Sequence, residues 1–196
     1  MATKTFEQPD LIQGSPFTVY AGVDCPAVGM PDAEASARAT RRLAYVEGRW
    51  IDYHVAAMIV SHPDHQTLTN GALRDMIIEA ETIASRTYGG YATILMTKGL
   101  AVCAYADRLI ERNPMGGLET INGTRVGNIT ENPDAATDNF FLTGQINLIA
   151  GKVTNRIAPS LTLPDGTCMG RRALAERVYV PLIECLMYSG TATCTP

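Results

Sequence analysis

Apolar residues recur every three or four positions over residues 31–60. Leu43, Val46, Trp50, Tyr53, Ala57 and Val60 fall on one helical stripe. Pro31 suits a first helical position, and Asp32 and Glu34 sit where the N-terminal dipole favours negative charge. Arg38, Arg41, Arg42 and Arg49 decorate the other faces, and Gly48 weakens the middle. The same period predicts a second helix over 71–87, with Leu73, Met76, Ile77, Ala80 and Ala84 inward and Asn70 as its cap. Paired glycines in YGGY (88–91) permit a reversal. A third helix is expected over 91–112, using Ile94, Leu95, Val102, Tyr105, Leu109 and Ile110, and ended by Asn113-Pro114 and Gly116-Gly117.

The period then changes. Asn122-Gly123, between Glu119-Thr120-Ile121 and Thr124-Arg125-Val126, is a strong hairpin signal. An isolated two-stranded ribbon is marginal in water, so this one needs a surface to lie on. After the acidic stretch ENPDAATDN, Asp138 caps an expected helix to about residue 157, with Phe140, Phe141, Leu148, Ile149, Val153 and Ile157. Gly144 and Gly151 count against that helix. LTLPDGTC reads as strand and turn around Pro164-Asp165-Gly166. A last helix is expected over 169–188 with Leu174, Val178, Leu182, Cys185 and Leu186 inward, kinked near Arg177 by Pro181.

The predicted fold is therefore mainly α: about five helices, a small β-hairpin near 118–127, and extended N- and C-terminal arms. Residues 1–30 form the N-terminal arm, 31–188 a helical domain carrying the hairpin, and 189–196 an uncharged tail. The arm contains Phe6, Leu11, Ile12, Phe17, Val19, Tyr20 and Val23. That is too apolar for a solvated tail and too little for a core of its own, so it is expected to dock on its own domain or on a neighbour.

Composition narrows the function. At 196 residues the chain suits one domain with appendages. Charged residues make up 18%, below the roughly 25% usual for soluble domains, which favours buried subunit contacts. A net charge of −4 argues against a dedicated nucleic-acid binder. Of sixteen basic residues thirteen are Arg, with Lys only at 4, 98 and 152. No stretch approaches the ~20 apolar residues of a membrane span, and the first residues lack a signal pattern, so neither membrane insertion nor export is expected. Cys25, Cys103, Cys168, Cys185 and Cys194 are odd in number and widely spaced, and read as reduced thiols of a protein made in the cytoplasm.

All three histidines lie within YHVAAMIVSHPDHQ. On a helix His54 and His62 would be separated by about 12 Å along the axis and ~80° around it, so they cannot share a metal. Pro63 turns the chain, leaving His62, Asp64 and His65 as a weak metal-ligand set without the paired-histidine spacing of zinc hydrolases. The plainer reading makes Ser61 a cap and the stretch a boundary between helices. No glycine-rich nucleotide loop, phosphate loop or serine-hydrolase elbow is present, so no cofactor is called for. Arg41-Arg42 and Arg171-Arg172 sit on expected amphipathic helices, where they face solvent with Glu47 and Glu176 nearby or contact phosphates or acidic partners.

These features point to a structural subunit that interlocks with copies of itself through Phe6, Leu11, Phe17, Tyr20, Arg41, Arg42, Arg171 and Arg172. By analogy of architecture the expectation is a virion component of coat, head–tail adaptor or tail-tube type, with other virion proteins as further partners. Contact with nucleic acid is compatible with an Arg-lined ring or channel, though the net charge does not call for it. The alternative is a small helical metal-dependent enzyme or ligand-binding protein built on the His62/Asp64/His65 turn.

Overall fold

A computed structural model describes residues 11–26, 30–69, 71–88, 91–130, 139–159, 170–184 and 186–194. Their elements run β1 (Leu11–Gln13), β2 (Phe17–Pro26), α1 (Asp32–Ser61), β3 (Gln66–Thr67), β4 (Gly71–Ala72), α2 (Leu73–Thr87), β5 (Thr93–Thr97) and α3 (Lys98–Ala106). There follow β6 (Ile110–Arg112), β7 (Leu118–Thr120), β8 (Arg125–Ile129), β9 (Phe140–Thr143), β10 (Ile146–Ala150), β11 (Thr154–Pro159), β12 (Gly170–Glu184), β13 (Met187–Gly190) and β14 (Ala192–Thr193). Three helices among fourteen strands make this an α+β fold, not the mainly α fold the periodicity predicts. The chain divides into two units, one comprising Ser15–His54 and Leu148–Pro181, the other Met1–Gly14, Val55–Asn147 and Leu182–Pro196.

The first is a ribbon unit. Its centre is β12, flanked by antiparallel β2, from Tyr179↔Phe17 to Gly170↔Pro26, and by antiparallel β11, from Thr154↔Glu176 to Pro159↔Arg171. Burial along β12 follows a two-residue period: Ala173, Ala175 and Tyr179 are buried, whereas Arg172 and Val178 are exposed. Strand β2 alternates likewise, Val19 and Ala21 inward and Thr18 and Tyr20 outward. Ala35, Ala39 and Leu43, four residues apart on α1, complete the core. Alanine on both surfaces lets helix and strands approach closely.

The second is a sheet unit with strand order β3-β13-β9-β5-β8-β7-β6. Strands β5 and β8 are parallel, Thr93↔Arg125 to Thr97↔Ile129, and α3 lies on the connection between them. Strand β9 runs antiparallel to both β5 and β13, and all four of its residues are buried. That burial fits an interior strand covered on both faces. The core joins Leu73, Met76, Ile77 and Ala80 of α2, Leu100, Ala101 and Ala104 of α3, and Ile94, Met96, Phe140 and Leu142 of the sheet.

Helices α1 and α2 occupy the expected ranges, and the Asn122-Gly123 turn joins β7 to β8 with Gly123 at φ +83°. The buried face of α1 is not the expected stripe: Trp50, Ala57 and Val60 are exposed, whereas Ala35, Ala39, Leu43, Val55 and Ile59 are buried. Asn70, the expected cap of α2, lies outside the described residues; Ala72 occupies the N-cap position and supplies no side-chain bond. Three expected helices are replaced. In 91–112 the run Thr-Ile-Leu-Met-Thr becomes β5, only Lys98–Ala106 is helical, and Arg108 at φ +56° turns the chain toward β6. Residues 138–157 become β9, β10 and the start of β11. Gly144 is needed between β9 and β10, since a Cβ there would lie 2.7 Å from Glu184 Cβ and 2.8 Å from the Tyr88 hydroxyl.

Residues 169–188 are not a kinked helix; they contain β12 and the start of β13. Leu174, Val178 and Leu182, the stripe expected inward, fall on even positions of β12, whereas Ala173, Ala175, Tyr179, Pro181 and Ile183, all odd, are buried. Pro181, which has no amide hydrogen, falls between the stretch paired with β2 and the stretch Leu182–Glu184 paired with β1. The expected arms are also strands where they are described. Leu11–Gln13 and Phe17–Pro26 pair with β12, Ser189 and Gly190 lie in β13, and Ala192–Thr193 pairs in parallel with Gly71–Ala72. Cys103 and Cys194, expected as free thiols, are joined in a disulfide.

Candidate assembly surfaces

The residues singled out from sequence divide into outward and inward groups. Tyr20 is 65% exposed on the outer positions of β2. Arg41 and Arg42 are exposed on α1 and form no ion pair among the described residues. Phe17 is half-buried and stacks on His54, ring centroids 4.2 Å apart, and on Tyr179 at 5.6 Å, so it serves its own unit. Arg172 grips Asp24 across the β2–β12 pair, Nε to Oδ1 at 2.9 Å and Nη2 to Oδ2 at 3.1 Å. That hydrogen-bonded carboxylate raises the guanidinium pKa further. The backbone of Arg171 pairs with Cys25 and Pro159, that of Leu11 with Glu184. Phe6 lies outside the described residues.

The histidines are engaged separately. The Asp64 amide donates to His62 Nδ1 at 3.2 Å, and His65 Nε2 lies 2.9 Å from Ser189 Oγ in β13. His54 belongs to the aromatic stack with Phe17, and burial lowers its pKa below the ordinary 6.5. Among the described residues no group of three His, Cys, Asp or Glu side chains could hold a metal ion. Nor is any described helix long and apolar enough to cross a membrane.

Sequence reasoning missed two polar anchors. Arg177 donates to Glu47 of α1 at 3.0 Å and to the Tyr179 hydroxyl at 3.4 Å, fastening helix to ribbon. Burial raises the Tyr179 pKa, so the phenol stays protonated. Glu81 of α2 accepts hydrogen bonds from the hydroxyls of Thr120 and of Thr124, the latter at 2.9 Å. These bonds pin the β7–β8 turn to α2. No spacing in the sequence announces either, because the partners are 130 and 39 residues apart.

It also misassigned apolar residues that face solvent. On α3, Val102 is 70% and Tyr105 56% exposed; with Lys98, Arg112 and Leu118 they line a cleft of about 570 Å³. A second cleft of about 790 Å³ lies between α2 and the β7–β8 turn, with Ile78 and Ile121 exposed in its lining. On the ribbon unit Tyr20, Tyr45, Trp50 and Val178 are exposed.

No family model matches the chain, and no curated protein does. Solved structures match through the fold. A protein of Mycobacterium phage Che8 superposes with a TM-score of 0.54 at 15% identity, covering 89% of this chain and 70% of the other. A chain of the capsid of cyanophage P-SCSP1u gives 0.51 at 8% identity over 100% and 81%. One from the asymmetric unit of the bacteriophage PhiM1 mature capsid gives 0.50 at 12% identity over 92% and 72%. Over nearly its whole length, the chain shares its fold with these phage capsid chains.

Proposed function

We propose that the chain is a non-enzymatic coat subunit of a phage head, assembling with copies of itself into a closed shell. The observation that carries this reading is the fold, which follows phage capsid chains over 92–100% of this sequence in the PhiM1 and P-SCSP1u comparisons. The same likeness favours a coat over a head–tail adaptor or tail-tube role. Apolar side chains left in solvent on both units fit a protein whose remaining burial comes from neighbours. The coat would be made in the cytoplasm of the host cell and end in the virion, meeting other virion proteins there.

Light scattering on the size-excluded protein, followed by electron microscopy, tests the reading. Closed shells or rings are expected, and a chain that stays monomeric at every concentration would sink it. Replacing Val102 and Tyr105 together by Asp should block assembly while leaving the circular dichroism of the subunit unchanged, because both side chains are mostly in solvent before assembly.

A further inference from the structure

Helix α1 presents two opposite flanks to very different surroundings. Residues nine apart on an α-helix lie roughly 180° from each other. Thr40 and Arg49 are such a pair, as are Glu47 and Arg38. The Thr40 hydroxyl donates to Asn155 of β11 at 3.1 Å, and Glu47 accepts from Arg177 of β12 at 3.0 Å, so this flank is tied to the ribbon. The other flank carries Arg38, Arg41, Arg42, Tyr45 and Arg49 within about 100° of arc and about 17 Å of axis. All five are exposed, Tyr45 by 87%. Glu34 holds Arg38 at 2.6 Å, whereas Arg41, Arg42 and Arg49 form no ion pair among the described residues.

This concentration is unusual for the chain. Four of its sixteen basic residues lie within twelve positions, although the protein as a whole is acidic at −4. All four are arginines, whose planar forks match phosphate oxygens in pairs and whose weak hydration lowers the cost of contact. We propose that this flank of α1 binds the phosphate backbone of duplex nucleic acid, without regard to sequence. A duplex carries one charge per ~1.7 Å of axis, so a 17 Å stripe spans about ten phosphates and needs no fixed register. Tyr45 supplies a ring that packs on sugar or on an arginine plane. An acidic protein surface is the poorer occupant, because a protein interface is built on an apolar centre and Tyr45 is the one large apolar side chain on this flank.

This inference deepens the coat reading and rests on it: a shell aligns many copies of one weak site along the packed duplex, and their contacts add. The site differs from the apolar clefts of the sheet unit and needs none of their residues.

The test is retention of a short fluorescent duplex of arbitrary sequence by the full chain at low salt. Its partners are Arg41→Gln/Arg42→Gln/Arg49→Gln, the same three positions changed to Lys, and Arg74→Gln/Arg86→Gln as a control on α2. The wild type should bind with a slope of log affinity against log salt near −3. The Gln triple should bind at least about tenfold more weakly with a slope near zero, the Lys triple should keep most of the slope, and the control should match wild type. Equal binding by the Gln triple, or equal loss in the α2 control, overturns the proposal. So does a wild type that forms shells and ignores the duplex. If the Gln triple loses assembly and keeps duplex binding, the flank is a protein contact and the proposal also fails. A wild type that binds duplex through these arginines but never assembles would overturn the coat reading alone.

Discussion

The two units reach stability by different means. In the sheet unit seventeen of the described residues form the buried core, including Phe140, Leu142, Ile94, Met96 and Met76. Among the described residues of the ribbon unit the corresponding set has eight, and five of those are alanines. Burial stabilises roughly in proportion to apolar area removed from water, so the ribbon gains far less from its own core. It compensates with close helix–strand approach, an aromatic stack at Phe17, His54 and Tyr179, and ion pairs such as Arg177–Glu47. The exposed Arg172–Asp24 pair contributes little, because solvent screens it. A region built in this way opens at lower free energy than a broad core, and in the proposed shell its neighbours would supply what it lacks.

The largest effect that would sharpen this contrast is a cavity in the sheet unit. Leu142→Ala removes a side chain that is 0% exposed between β5 and β13 and should cost about 3–5 kcal/mol in urea denaturation. A cost below 1 kcal/mol would mean that this core is not what holds the unit.

Reduction comes next. The Cys103–Cys194 bond closes a loop with a sequence separation of 91, and both ends belong to the sheet unit. Cys103→Ser or a reductant should lower stability by about 2–4 kcal/mol. Hydrogen exchange should quicken in α3 and β14 and stay unchanged in β2 and β11. Uniform quickening across both units would show that they are not separable.

The ribbon should respond to the opposite change. Ala39 is 0% exposed under β2 and β12, so Ala39→Leu overpacks the helix–strand contact and should cost about 1–3 kcal/mol. Trp50, the single tryptophan, lies in this unit and reports its unfolding by fluorescence. If Ala39→Leu instead stabilises the ribbon, the interface is looser than its alanines imply.

The smallest effect is a pH dependence confined to the ribbon. Burial lowers the folded-state pKa of His54 below its ordinary 6.5. The unfolded chain therefore binds a proton first as pH falls. The stabilisation is complete above pH 6.5 and is lost as pH drops through 6.5 toward the folded value. Trp50 fluorescence should show the ribbon weakening as pH falls from 7 to 5, and His54→Phe should remove that slope. A slope that survives the substitution would assign it to another group.

How much of this was visible beforehand varies from element to element. Helix α2 was legible because it lays one apolar stripe on a partner and leaves the rest to solvent, the condition under which a 3.6-residue period appears. On α1 the range was legible but the face was not, since small Ala35 and Ala39 are buried while the larger Trp50 and Val60 are exposed. The Asn122-Gly123 turn was legible because its positive φ is a local demand that few residues meet. By contrast Phe140-Phe141 gave no period, since β9 is buried on both faces and needs apolar residues throughout. In β12 the inward positions are mostly small, Ala173 and Ala175, so the larger outward Leu174 and Val178 imposed a false helical spacing. On α3 the same confusion placed Val102 and Tyr105 in a core when they face solvent.

The sequence by itself determined the positions of two helices and one turn, the crowding of arginines on α1, and the shortage of charge that pointed toward assembly. Only the tertiary structure decided that the terminal stretches are strands, that Cys103 meets Cys194, and that Arg177 reaches Glu47. The physical reason is range. Helical stripes and tight turns are set by neighbours a few residues away, whereas strand partners and disulfides are chosen by residues tens of positions distant.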